Sequence, residues 1–141
     1  MNDTMKKILL ILICLPMIGL SQSWKDYTYT QKEKNETLES IMNEMNKTCP
    51  QVIDKYTTLL NIYGGNRTFR HNYQIDNSYF NTMGITKKDF MELQNEILKN
   101  KFCTDPSIEM MKVWGINVIW KYYDDSGIVI GEITLNRKDC N

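Results

Sequence analysis

GINVIWKYYDDSGIVIGEITLN, residues 115–136, holds two β-rich runs on either side of Asp124, Asp125, Ser126 and Gly127. Ile116, Val118, Trp120 and Tyr122 recur at every second position, so the first run presents one apolar face. Aspartate binds nearby backbone and glycine accepts a left-handed conformation, so the four residues between the runs predict a tight turn and the whole stretch a hairpin. The second run carries apolar residues on both faces, which places it inside a sheet or under a helix.

A second pair of strands is expected upstream. TTLLNIY (57–63) and TFRHNYQI (68–75) flank Gly64, Gly65 and Asn66. In the later strand Phe69, His71, Tyr73 and Ile75 point one way and Thr68, Arg70, Asn72 and Gln74 the other. That alternation belongs to an antiparallel strand with one wet, polar face.

Helical periodicity fills the remainder apart from a loop expected to carry Tyr79, Phe80 and Gly84. Between Glu33 and Lys47, residues Leu38, Ile41, Met42 and Met45 fall on one face, Cys49 extends the stripe, and Pro50 stops the helix. Thr86 and Asp89 form a capping box ahead of Phe90, Leu93, Ile97, Leu98 and Phe102, a second amphipathic helix ending near Cys103. Asp105, with Pro106 in the first turn and Gly115 after the last, frames a short third helix carrying Met110, Met111, Val113 and Trp114. The order predicts an α+β fold: a four-stranded antiparallel sheet of two hairpins with about three helices packed on one face.

The amino terminus reads as an export signal. Lys6 and Lys7 lead into an apolar run from Ile8 to Leu15, and Gly19 and Ser21 supply the small residues of a cut between Ser21 and Gln22. The run is shorter than the roughly 20 residues of a membrane span and is broken by Pro16. Ile13 is bulky where lipid attachment at Cys14 wants a small residue. Residues 1–21 are thus assigned as signal peptide, 22–32 as a lead-in segment and 33–141 as a single domain. The chain is expected in the periplasm or outside the cell.

Removing residues 1–21 leaves 15 basic and 16 acidic residues, a net charge near −1. No electrostatic case for nucleic acid or anionic membranes survives that balance. Exported chains meet oxidants, so Cys49, Cys103 and Cys140 are read first as disulfide candidates. Cys103 is paired with Cys140, because a closed final hairpin returns its end beside the start of the preceding strand, which the short third helix tethers to Cys103. Cys49 is assigned as a buried thiol, and pairings of Cys49 with Cys103 or with Cys140 stay open.

Other chemistry is sparse. His71 is the single histidine and the cysteines are dispersed, so no metal site or cofactor is expected. A thiol hydrolase would have to combine Cys49 with His71, with Asp54 or Asp76 as orienter. His71 sits on an apolar strand face, however, and no glycine motif prepares an oxyanion site. Asp124 and Asp125 are assigned as turn formers. Asn35, Asn46 and Asn66 stand in Asn-x-Thr sequences that matter only in a glycosylating cell, and a bacterial signal segment predicts them bare. Trp24, Tyr27, Tyr29, Tyr56, Tyr63, Tyr79, Phe80 and Tyr123 exceed what the helix stripes need, and some are candidates for a binding surface.

The segments CPQVIDKYTT, FRHNYQI, KFCTDP and GINVIWKYYDDSG, with Cys140 at the end, resemble an uncharacterised family of small exported bacterial proteins, over residues 41–140. The resemblance implies export and one domain, and brings no site residue. The functional expectation is a non-enzymatic exported module that binds another protein or an envelope component. The alternatives are the Cys49/His71 hydrolase and a toxin-neutralising inhibitor.

Overall fold

A computed structural model describes residues 28–140. The expected signal peptide, its cleavage point, Cys14, Trp24 and Tyr27 lie outside the described residues. Helix α1 spans Gln31–Asn46. It starts inside the expected lead-in segment, because Thr30 and Glu33 form a capping box: the Glu33 amide donates to Thr30 Oγ1 at 3.2 Å and the Thr30 amide to Glu33 Oε2 at 2.7 Å. Strands β1 (Gln51–Val52), β2 (Thr57–Gly65) and β3 (Thr68–Ile75) follow, then helices α2 (Asn77–Met83), α3 (Lys87–Thr104) and α4 (Glu109–Val113). Strands β4 (Asn117–Asp124) and β5 (Val129–Leu135) complete a five-stranded sheet ordered β1-β2-β3-β4-β5.

Both expected hairpins are present, but the sheet is mixed, and the stretch expected as a loop around Tyr79 and Phe80 is the helix α2, capped by Asp76 and ended by left-handed Gly84, so the described helices number four. β3 and β4 run parallel, with Thr68 opposite Asn117 and Ile75 opposite Asp124. Helix length explains the direction. The 18 residues of α3 rise about 27 Å, and the eight-residue β4 spans about 26 Å, so α3 carries the chain back along the full sheet before β4 begins. A strand entered from that end must point the same way as β3. The extra strand β1 has only two residues, too few to leave a pattern in the sequence. β5 lies at the edge of the sheet, not inside it, with α3 packed over its inner side.

The core fills the space between one sheet face and the helices. Phe69, His71, Tyr73 and Ile75 of β3 lie beside Val118, Trp120, Tyr122 and Asp124 of β4, all buried. Leu38 and Met42 of α1 and Phe90, Leu98 and Phe102 of α3 close over them.

The first hairpin turns later than the glycine pair implies. Gly65 pairs with Thr68, and Asn66 and Arg67 take the left-handed backbone of the turn, with φ of 47° and 63°. Gly64 is needed inside β2 instead, since a Cβ there would lie 2.1 Å from the Thr68 carbonyl oxygen and 3.3 Å from Met42 Sδ. Gly64→Ala therefore forces apart the hairpin end or α1. A loss of about 1–3 kcal/mol is expected in chemical denaturation, typical of overpacking, and an unchanged midpoint would contradict this account.

The second hairpin is tied by Asp124. Its Oδ1 accepts from the Ser126 and Ile128 amides at 2.9 Å each, and its Oδ2 from Lys87 Nζ at 2.8 Å. Asp124 is thus more than a turn former: it anchors the turn to the first residue of α3. These contacts, Lys87 first, hold its carboxyl below the usual carboxylate range.

Candidate functional site

Because the helices pack on one side, the opposite face of the sheet is left bare among the described residues. Its outward positions form transverse rows. Val52, Thr58, Gln74, Tyr123 and Val129 make one, spanning about 19 Å across five strands. Asn61, Asn72, Lys121 and Glu132 make the next, and Tyr63, Arg70, Ile119 and Thr134 the third. A β-bulge in β2 between Leu59 and Asn61, and another where Tyr122 and Tyr123 meet β5, break the ladders. Such bulges bend strands and increase local twist.

In the bent region lies a concavity of about 480 Å³, lined by Leu60, Asn61, Tyr63, Asn72, Gln74 and Tyr123 and by Asp124, Asp125 and Gly127 of the second hairpin's turn. The size falls in the range of roughly 300–1,000 Å³ usual for small-ligand sites. Asn72 is 4% exposed; its Nδ2 donates to Asn61 Oδ1 at 2.6 Å, and its own Oδ1 is buried with no partner among the described residues. An unmet buried acceptor of this kind costs about 1–3 kcal/mol. Gln74 makes no side-chain hydrogen bond among the described residues. Asp125 Oδ1 accepts from Asn77 Nδ2.

One ion pair crosses this face. Arg70 Nη1 lies 3.0 Å from Glu132 Oε2, with the guanidinium 5.9 Å from the Tyr63 ring centre. Lys121 Nζ lies 5.3 Å from the Tyr123 ring centre. The polar face of β3 is therefore not simply wet: its middle is a packed, hydrogen-bonded floor. Exposed apolar groups stand at the margins, Val52 on one edge and Ile128 and Val129 at the other.

The candidate thiol–histidine pair is not assembled. His71 is buried among Phe69, Tyr73 and Trp120, with ring centres 4.7, 6.4 and 5.8 Å away. Its Nδ1 lies 3.4 Å from the Ile119 carbonyl oxygen, so the tautomer protonated there donates to it, and Nε2 is buried without a partner. Desolvation pushes the imidazole pKa down to about 4. Cys49 is free, packs against the core, and its thiol donates to the Met45 carbonyl oxygen at 3.8 Å. Burial raises its pKa, the opposite of what an active thiol needs. Among the described residues no hydrogen bond joins Cys49 to His71. Asp54 and Asp76 spend a carboxylate oxygen on the amides of Tyr56 and Ser78.

A disulfide joins Cys103 to Cys140, with Cα atoms 5.2 Å apart. No group of His, Cys, Asp and Glu side chains that could hold a metal ion occurs among the described residues.

Most of the candidate aromatic surface is core. Tyr29 packs on Trp114, Tyr56 on Tyr79, and Tyr79 and Phe80 on Phe90. Tyr63 and Tyr123 reach the bare face. The role of Asn72 was missed because a polar residue on a strand's outer side reads as solvated. The available hint was compositional: Asn61, Asn72 and Gln74 are amides where surface strands ordinarily carry charges.

No known protein family matches the chain, and no curated protein does. Solved structures share the fold. A Pseudomonas aeruginosa protein classed as secreted aligns with a TM-score of 0.66 and 10% identity over 82% of this chain and 100% of its own. The type II secretion system pilotin EpsS of Vibrio vulnificus aligns at 0.62 and 10% identity, covering 79% of this chain and 94% of the pilotin. The type II secretion system pilotin AspS of Vibrio cholerae gives 0.59 and 12%, over 78% and 94%. At such identities the likeness is one of fold.

Proposed function

We propose that this chain is an exported, non-enzymatic module that binds another protein of the cell envelope through the bare side of its sheet. The observation that carries the reading is the division of the sheet into a helix-covered face and a bare one. The bare face has an ion pair and hydrogen-bonded amides in the middle and exposed apolar residues at both margins, an arrangement suited to contact with a macromolecule. The fold shared with a secreted protein and two secretion-system pilotins supports an envelope role, as does the signal-like amino terminus. Burial of His71 and the raised thiol pKa of Cys49 count against the hydrolase alternative.

The test is affinity capture of the tagged mature protein from its producer's envelope under mild crosslinking, alongside a Val52→Asp/Val129→Asp double variant. A stoichiometric partner held by the parent and lost by the variant is expected. Retention of every captured protein by the variant would refute the proposed surface. Substitution at exposed margin positions should leave melting within about 0.5 kcal/mol of the parent.

A further inference from the structure

We infer that the concavity in the middle of the bare face is a binding site for an uncharged oligosaccharide about two sugar units long. The inference does not rest on the protein-binding reading, which uses the apolar margins, whereas this site uses the polar floor between them.

The lining decides the ligand class. Asn61, Asn72, Gln74 and Asp125 supply planar amide and carboxylate groups, and Tyr63 and Tyr123 supply aromatic rings. Planar polar groups pair with the neighbouring hydroxyls of a sugar ring, and aromatic rings cover its C–H face. Two of the charged pairs around the site are already engaged: Arg70 with Glu132, and Asp124 with Lys87 and two backbone amides. Lys121 stands over Tyr123, so a cationic ligand would meet a like charge beside its aromatic surface. An anion would meet the Asp125 carboxylate. A neutral, hydroxyl-rich ligand avoids both conflicts.

Asn72 gives the second, independent observation. It is 4% exposed, lines the concavity, and leaves Oδ1 without a hydrogen bond among the described residues. A buried acceptor without a donor is what a hydrogen-bonding ligand would complete once a small shift of the side chain presents it. An extended peptide is a poorer fit, because peptides pair with free strand edges and this floor is built of interior strands whose backbones already pair with each other.

The experiment is titration of the folded, disulfide-bonded protein with cellotetraose, maltotetraose and tetra-N-acetylchitotetraose, followed by amide chemical shifts. One of them is expected to saturate with a Kd on the order of 1 mM or tighter. The shifts should centre on residues 61–74 and 121–125. Tyr63→Ala and Gln74→Ala alter exposed or half-exposed side chains outside the core, and each should weaken binding about tenfold with an unchanged melting curve. N-acetylarginine amide and inorganic phosphate serve as charged probes and should not compete. Absence of saturable shifts with all three saccharides, binding indifferent to both substitutions, or stronger binding of a charged probe would overturn the inference. None of these outcomes touches the margin variants, so the two readings fail separately.

Discussion

Cys103→Ser/Cys140→Ser lowers the stability of the folded domain by about 4 kcal/mol, the largest effect expected of any change outside the buried core. The bridged residues are 37 apart in sequence, and in the chain-entropy picture closing a loop of that length removes much of the unfolded chain's freedom. The bond also joins two elements that otherwise meet only by packing. Cys103 is near the carboxyl end of α3, and Cys140 closes the 3₁₀ turn after β5. α3 lies over β5 and over that turn, so the bridge fastens the crossover helix to the edge strand. For a domain of this size the loss corresponds to a fall in melting temperature of about 15 °C or more. Urea unfolding of the double variant beside the parent, both in oxidising buffer, measures it. A difference under about 1 kcal/mol would mean that the unfolded chain is already compact enough for the bridge to constrain little.

Acidification from pH 6.5 to 4 should cost about 3 kcal/mol through His71 alone. In the folded protein the imidazole pKa is depressed to about 4 by burial, against its ordinary value of 6.5. Between these values the unfolded chain takes up a proton that the folded one refuses, so stability is complete above pH 6.5 and falls as the pH drops toward 4. The window separates this group from the carboxylates. Glu33, Asp76, Asp89 and Asp124 are all held below their ordinary values of 4.5 for Glu33 and 3.8 for the aspartates by hydrogen bonds, so their contribution is intact down to about pH 5 and is lost below it. His71→Phe keeps a planar ring among Phe69, Tyr73 and Trp120 and removes the titration, so its stability should be flat between pH 6.5 and about 5 and below that fall only by the carboxylates' share, less steeply than the parent's. Denaturation midpoints at half-unit intervals decide the matter. A parallel pH dependence in parent and variant would exclude His71 as the source. His71→Phe should also leave partner capture unchanged, because His71 faces the core and not the bare side.

How much of this architecture could be read in the residues differs by element. The hairpin at 117–135 and the helix at 87–104 were legible, because their signals are local: a DDSG turn, a Thr86/Asp89 box, apolar residues at period two or three to four. The parallel seam between β3 and β4 was not, since strand direction depends on how far the intervening helix carries the chain, a property no short window contains. Gly64 and Gly65 misled for a related reason. Glycine marks either a turn or a close approach, and Gly64 serves the second purpose beneath Met42. His71 could be assigned to the core from its alternation with Phe69 and Tyr73. Asn72 could not be recognised, since its burial arises from neighbours on β2 and β4 that the sequence places 11 and about 49 positions away.

The same seam has a kinetic meaning. Each hairpin closes over a handful of residues and needs nothing from the other, whereas joining them requires Thr68 to find Asn117 across the whole helical connection. Loop-closure entropy must be met before any of those pairs form, which makes the centre of the sheet, its most buried part once complete, the part assembled last. Either hairpin alone would have an unpaired inner edge and an uncovered apolar side, so neither is more than marginally stable before the seam closes. The concave floor between Asn61 and Tyr123 is lined from both sides of the seam, so it exists only once the two hairpins have joined.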